Sequence, residues 1–257
     1  MCFMEILGHE VNSKSFLGGD TGESYKIVTD KGTFKIRECR SLRRAKEIEK
    51  FAGQASFLLP RFYGRFGKVL VFEFIRGRRL GKKEPTQTYY QLGKLHGRLN
   101  RISARPRRIW SRVLKHIDYC VSSKLIREEF AIKLKKNFLR LKRKLQFKYV
   151  LDFTDFHPWN FMKNDSGRLY FVDEDGLIEN VKGYGLAKPF NRRWFRKSEN
   201  RKEFVNGYNS VNDFSYFTED YELFVNIYFN VVKLARQHKK GIFNEKYLKT
   251  LQGLELK

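Results

Sequence analysis

The chain has 257 residues, with 53 Lys+Arg against 28 Asp+Glu and a formal net charge of +25. Hydrophobic residues make up 41%, including 24 Phe, which excludes disorder and allows one substantial core or two modest lobes sharing a cleft. No apolar run approaches the ~20 residues of a membrane span, and the N-terminal MCFMEILGHE lacks the basic n-region of a secretory signal. Cys2, Cys39 and Cys120 are unclustered, which fits free thiols in a reducing cytosol better than a disulfide framework or a zinc site. So large a positive excess works against compactness by self-repulsion. It calls for an acidic partner: nucleic acid, an anionic membrane surface or a phosphorylated substrate.

In chain order, residues 15–29 (SFLGGDTGESYKIVT) read as strand, glycine turn and strand, with Gly18, Gly19 and Gly22 permitting a tight hairpin. Such a hairpin can lie over phosphates and offer them backbone N–H groups, or be a plain hairpin. It is not a Walker A loop, because no G-K-[ST] ends it. A turn at Asp30-Lys31-Gly32 leads into TFKIREC, where alternation puts Phe34 and Ile36 on one face and Thr33, Lys35 and Arg37 on the other. SLRRAKEIEKFAGQA predicts a helix capped by Ser41, with Ala45, Ile48, Phe51 and Ala52 inward. Two strands around a Gly64–Gly67 turn follow, the second being the apolar run from Val69 to Ile75.

Thr86 opens a helix with Tyr90, Leu92, Leu95 and Leu99 as core positions, and a long basic helix spans about 122–148. Its apolar face is Phe130, Leu134, Phe138, Leu141 and Leu145, and its cationic remainder, almost free of acids after Glu129, is a candidate docking surface. Residues 151–176 (LDFTDFHPWNFMKNDSGRLYFVDEDG) read as strand, polar loop, short hairpin and a strand ending in acids. Asp155, Asn160 and Asp173 then stand at two adjacent strand ends. That set suits phosphoryl transfer: one acid orients or deprotonates a hydroxyl, while the amide and the other acid hold Mg²⁺ against nucleotide phosphates. Around Pro158 the same residue types are also ordinary turn formers. Beyond Asp175, Gly183, Gly185 and Pro189 mark a loop. Arg192, Arg193, Arg196, Lys197, Arg201 and Lys202 cluster with Trp194 and Phe195, as suits nucleic acid, phosphosugars or headgroups. Residues 203–250 read as helical, with Leu223, Ile227, Val231 and Val232 at core spacing.

The 151–176 stretch resembles the catalytic and metal-binding segments of protein-kinase-like phosphotransferases, in the aminoglycoside phosphotransferase and choline kinase branch. That branch writes it as H-G-D-x-H-P-x-N, then an apolar strand and I-D-[WF]-[ED]. The resemblance runs in order from Leu17 to Gly176. It implies an α+β, bilobal protein-kinase-like fold: a small antiparallel β-sheet N-lobe over 1–75 and a larger, mostly helical C-lobe over 76–257. It implies ATP and Mg²⁺ as cofactors, Asp155 as the catalytic acid, and Asn160 and Asp173 as metal ligands, with Asp175 as a further ligand. Gly18, Gly19 and Gly22 would cover the phosphates. The form Y-V-L-[KR] assigns the strand cation to Arg37, with Lys35 beside it, and the following helix would pair Glu47, or else Glu49, with that cation. The pattern E-[FY]-[IL]-x-G-x-x-L implies adenine contacts from the backbone near Glu73 and Ile75. L-G-x-L-H makes His96 a structural helix residue.

Three positions depart from the pattern. Arg37 puts a planar fork where a compact ammonium is usual. Phe153 stands where the family has a bracing histidine, and Glu174 where it prefers an aromatic. Classical aminoglycoside enzymes use an acidic pocket, and this chain is the reverse. Its overall look is similar to the lipopolysaccharide-core heptose and Kdo kinases. That implies an anionic small-molecule or lipid-linked sugar acceptor, met by a cytoplasmic enzyme peripheral to the inner membrane. A protein or other small-molecule kinase of the same fold is a second expectation. A catalytically silent module binding RNA or an anionic membrane through the basic-aromatic segment is the competing one.

Overall fold

Alternation in the first seventy residues builds one antiparallel sheet. The structure is a computed structural model describing residues 5–6, 8–18, 22–81, 83–106, 108–154, 156–187, 195 and 197–256. The strands are β1 (Glu5–Ile6), β2 (His9–Gly18), β3 (Gly22–Thr29), β4 (Gly32–Cys39), β5 (Phe62–Phe66) and β6 (Val69–Glu73), in the order β1-β2-β3-β4-β6-β5. Phe34 and Ile36 pack with Ile27 and Val71 on the buried face, so Lys35 and Arg37 emerge on the other, as the period of two dictates. Helix α1 (Leu42–Gln54) begins where Ser41 accepts a hydrogen bond from Arg44 N at 3.2 Å, and Ala45, Ile48, Phe51 and Ala52 are buried as their spacing predicts. Gly64 is not in the turn expected of it. It lies inside β5 beside a register shift, and the chain reverses at Gly67–Lys68.

A second antiparallel sheet, ordered β10-β9-β7, joins β7 (Arg78–Arg79), β9 (Phe161–Lys163) and β10 (Leu169–Phe171). Phe171 N donates to Leu58 O at 2.9 Å and Leu80 N to Phe161 O at 3.0 Å. These pairings explain how the chain divides. Residues 1–84 with 157–177 form one compact unit, and 85–156 with 178–257 the other. The sequence suggested a boundary after Ile75; backbone pairing instead carries the 157–177 hairpin into the N-terminal unit.

The second unit contains α2 (Thr86–Leu99), α3 (Ile109–Ser122), α4 (Glu128–Lys144), α5 (Ser198–Asn209), α6 (Glu219–His238) and α7 (Glu245–Gln252), with β8 (Tyr149–Phe153) pairing β11 (Leu177–Val181). The long helix expected over about 122–148 is realised as one shorter helix, Glu128–Lys144. α3 stops at Ser122, Lys124 takes φ +55°, and α4 starts afresh with Glu128 and Glu129 in its first turn. Leu134, Phe138 and Leu141 are buried as expected, with Phe130 and Leu145 half-buried. In α2 the buried face is Tyr89, Leu92, His96 and Leu99, a small rotation from the predicted Tyr90 and Leu95. Glycines decide it. A Cβ on Gly93 would lie 1.9 Å from Phe204 O, and one on Gly207 would lie 1.9 Å from Tyr90 O, so α2 and α5 touch backbone to backbone there. The expected helical region 203–250 is realised as parts of three helices, with Phe224 in the core where Leu223 is half-buried.

Candidate active site

β4 presents two cations, and both are held by acids that follow β10. Lys35 Nζ donates to Val172 O at 2.6 Å and to Glu174 Oε1 and Oε2 at 2.9 and 2.8 Å, the Glu174 side chain being fully buried. Arg37 is buried. It donates through Nη1 to Ser24 Oγ at 3.0 Å and pairs through Nη2 with Asp175 Oδ2. Arg44, from α1, binds the other oxygen of Asp175 at 3.2 Å and the carbonyls of Asp175 and Leu177 at 3.0 and 2.9 Å. Arg44 also donates to Glu47 Oε2 at 2.9 Å. Arg37, Asp175, Arg44 and Glu47 thus form one continuous charged chain.

This arrangement corrects two expectations. Glu47 pairs with Arg44 and Arg43 in its own helix, and Glu49 with Arg65, so neither meets the strand cation directly. The acid that meets Lys35 is Glu174, the residue whose departure from the pattern looked like a defect. Asp175 is committed to two guanidinium groups and is not positioned as a metal ligand. Sequence spacing alone could not find these partners, since Lys35 and Glu174 lie 139 residues apart.

Asn160 and Asp173 are brought together. Asn160 ends a 3-10 turn that starts at Pro158, and its Nδ2 lies 3.4 Å from Asp173 Oδ2. Backbone bonds hold both: Val172 N to Asn160 O at 2.8 Å and Gly176 N to Asp173 O at 2.8 Å. One carboxylate and one carboxamide oxygen form a hard donor set of the kind Mg²⁺ accepts, with water and phosphate oxygens completing its octahedron. Among the described residues no group of three or more His, Cys, Asp or Glu could hold a metal unaided. A magnesium ion here would need further oxygen donors, from water or phosphate.

A cavity of about 370 Å³ within the first unit joins these groups. Lys35, Arg37, Asn160 and Asp173 line one part of it, Glu73, Phe74 and Ile75 another, with Leu17, Gly18 and Ser24 from the β2–β3 hairpin. The size is that of a small-ligand site. Gly18 takes φ +98°, and a Cβ on Gly22 would collide with Glu38 O at 2.3 Å, so both hairpin glycines are required by geometry; Gly19 lies outside the described residues. At the strand end, Glu73 N donates to Arg61 O at 2.8 Å. Trp159 also lines the cavity. It is 49% exposed and stacks on His157 at 4.5 Å, and sequence reading had not singled it out.

Asp155 lies outside the described residues, as do Arg192, Arg193, Trp194 and Arg196. Phe195 is buried against Tyr89, Phe156 and Phe204, so this aromatic serves the core. His96 is fully buried in the second unit, its Nε2 2.7 Å from Asp152 Oδ1, with Phe153 and Phe156 packed on its ring. Asp152 also accepts from Phe153 N at 2.7 Å and Gly185 N at 3.4 Å. The end of β8 is therefore braced by this carboxylate although residue 153 is not a histidine.

No protein-family profile and no curated protein sequence matches the chain. Solved structures do. A choline kinase from Streptococcus pneumoniae is 15% identical over 95% of this chain and 95% of that one, with TM-score 0.68. A spectinomycin phosphotransferase in complex with ADP and spectinomycin is 15% identical over 95% and 89%, TM-score 0.67. An ethanolamine kinase from Plasmodium vivax is 15% identical over 93% and 80%, TM-score 0.66. The fold is thus the protein-kinase-like α+β fold of the choline kinases and aminoglycoside phosphotransferases. Among the described residues no helix is long and apolar enough to cross a membrane.

Proposed function

We propose that the chain is a kinase that transfers the γ-phosphate of ATP to a hydroxyl of a small-molecule acceptor. One observation carries this reading: strand cations, a carboxamide–carboxylate pair and an apolar strand end line a single cavity. Glu73 carbonyl and the Ile75 amide are assigned to the adenine edge. Gly18, Gly19 and Gly22 cover the phosphates with backbone N–H groups, and Lys35 and Arg37 provide positive charge to them. Asn160 and Asp173 are the residues that would hold Mg²⁺, which when bound neutralises phosphate charge as it moves to the leaving group. Asp155 orients the acceptor hydroxyl and takes its proton. Glu47 steadies Arg44, which with Arg37 fixes Asp175, and so acts on the cation through two intermediaries.

Residues 1–84 with 157–177 supply the nucleotide-binding part in this reading and the rest of the chain the acceptor-binding part. The chain's +25 charge favours an anionic acceptor, and a lipid-linked sugar of the lipopolysaccharide-core type, met at the inner face of the membrane, is the acceptor class proposed. The test is transfer of labelled γ-phosphate from Mg-ATP into envelope and soluble fractions, with Asp155→Asn and Asp173→Ala beside wild type. Label entering a glycolipid with wild type alone supports the whole reading. Label in a soluble metabolite or protein keeps the kinase and removes the lipid-linked acceptor. No label from folded protein favours a silent binding module for RNA or membrane.

A further inference from the structure

Helix α4 has two faces of different chemistry. Ala131, Leu134, Phe138 and Leu141 are buried. On the opposite side Ile132, Lys136, Leu139 and Arg143 follow one another at spacings of four, three and four, which at 3.6 residues per turn draws them into one outward stripe. Ile132 is 60% exposed and Leu139 37%. Lys133 and Lys142 flank the stripe, and no acid follows Glu129 in the helix. The remaining cations of α4 are tied down: Arg140 and Lys144 pair with Asp220, and Lys135 with Asp118. Lys133, Lys136, Lys142 and Arg143 form no ion pair among the described residues.

A solvated surface accounts for the lysines but not for aliphatic side chains set between them. We propose that this stripe docks α4 in the plane of an anionic phospholipid surface. Ile132 and Leu139 enter the boundary between headgroups and acyl chains, and Lys133, Lys136, Lys142 and Arg143 lie among the anionic headgroups. Charge complementarity selects an acidic partner, and the aliphatics select lipid over nucleic acid. A single strand is bound by stacking on aromatic side chains within a basic groove, and isoleucine and leucine offer no such platform. The proposal deepens the reading above, on which it rests only in giving a membrane-linked acceptor a place to be met. Docking itself is a property of α4.

The test is co-sedimentation of the full chain with vesicles of phosphatidylcholine alone or mixed with phosphatidylglycerol, at low and raised salt, with and without a homopolymeric single-stranded RNA. Mg-ATP binding is measured on the same samples. Wild type is expected on the mixed vesicles only, less so at raised salt. Lys136→Gln/Arg143→Gln should lower the partition roughly 25-fold, at about five-fold per charge removed near the surface. Ile132→Ser/Leu139→Ser should lower it as well, with unchanged thermal unfolding showing that the fold is intact. Equal binding to both vesicle types overturns the proposal. So does a serine variant that binds like wild type, or RNA that displaces the protein from vesicles while the serine variant keeps its RNA affinity and its vesicle affinity. Lost docking with intact Mg-ATP binding sinks the α4 proposal alone. Intact docking without Mg-ATP binding sinks the kinase reading alone.

Discussion

Lys35 Nζ lies 2.8 Å from Glu174 Oε2, and the glutamate side chain is fully buried while that of the lysine is 12% exposed. A cation from the fourth strand is thus neutralised by the residue that follows Asp173. Removing one partner of a buried pair leaves an uncompensated charge, a loss of about 3–5 kcal/mol. Lys35→Met and Glu174→Gln should each destabilise on that scale, and the double variant by clearly less than the sum of the two. Urea unfolding of all four proteins measures the coupling. Strict additivity would show that the pair is not an energetic unit.

Asp175 anchors two arginines, and only one of them, Arg37, faces the cavity. Asp175→Asn keeps the shape but weakens bonds to charged groups that are worth about 1.5–3 kcal/mol each. Calorimetric titration should show Mg-ATP affinity falling roughly ten-fold or more in the same range of free energy. Arg37→Lys should lose affinity too, because an ammonium cannot bridge Ser24 and Asp175 as the guanidinium fork does. Wild-type affinity in Asp175→Asn would assign Asp175 to stability alone.

The α2–α5 crossing makes a sharper prediction about packing. Gly207→Val forces bulk into a place where even a Cβ would lie 1.9 Å from Tyr90 O, and overpacking of this kind costs about 1–3 kcal/mol or more. The melting temperature should fall by roughly 2–4 °C per kcal/mol. Gly53→Ala is the counterpart, since a Cβ there meets nothing within 4 Å in the last turn of α1. It should stabilise by about 0.5–1 kcal/mol. Equal effects of the two substitutions would rule out the close crossing.

The pH dependence of stability should have a maximum set by three kinds of buried group, since burial also raises the Cys120 thiol from 9.0 to about 11 and so lowers stability above about pH 9. Burial, with Lys148 nearby, pushes the Lys182 ammonium down from 10.5 to about 8, under the Tyr216 ring and bonded to Asn212 and Asp213. Between about 8 and 10.5 the unfolded chain binds a proton that the folded chain does not, so stability rises with pH across that window. Burial raises the phenols of Tyr184, Tyr208, Tyr216 and Tyr221. Above about 10 the unfolded chain sheds protons that the folded chain keeps, and stability falls. Thermal melts across this range should rise from pH 8 and turn over between about 9 and 10, and Lys182→Met should abolish the rise while leaving the fall.

Much of the local structure was legible because it obeys short-range rules. Alternation in TFKIREC put Phe34 and Ile36 on one face and Lys35 and Arg37 on the other, and the structure keeps those faces, with Arg37 buried as well. Ser41 and the spacing of Ala45, Ile48, Phe51 and Ala52 defined α1 to the residue at its start. The α2 face was read slightly wrong, since hydrophobic period ignores Gly93 and Gly97, and it is these glycines that let α5 approach and turn Tyr89 inward.

The sequence by itself determined the apolar faces of β4 and α1, the Asp30–Lys31 turn, and that Asn160 and Asp173 stand at neighbouring strand ends, because periodicity and turn chemistry act over a few residues. Only the tertiary structure decided which acid neutralises which base. Glu47 and Asp175 looked available to the strand cation and to a metal, yet Glu47 goes to Arg44, Asp175 to Arg37 and Arg44, and Glu174 to Lys35. A buried charge pairs with whatever opposite charge the packed chain brings within reach, and for Lys35, Arg37 and Arg44 the acid lies 131 to 139 residues away, while Glu47 meets Arg44 within its own helix.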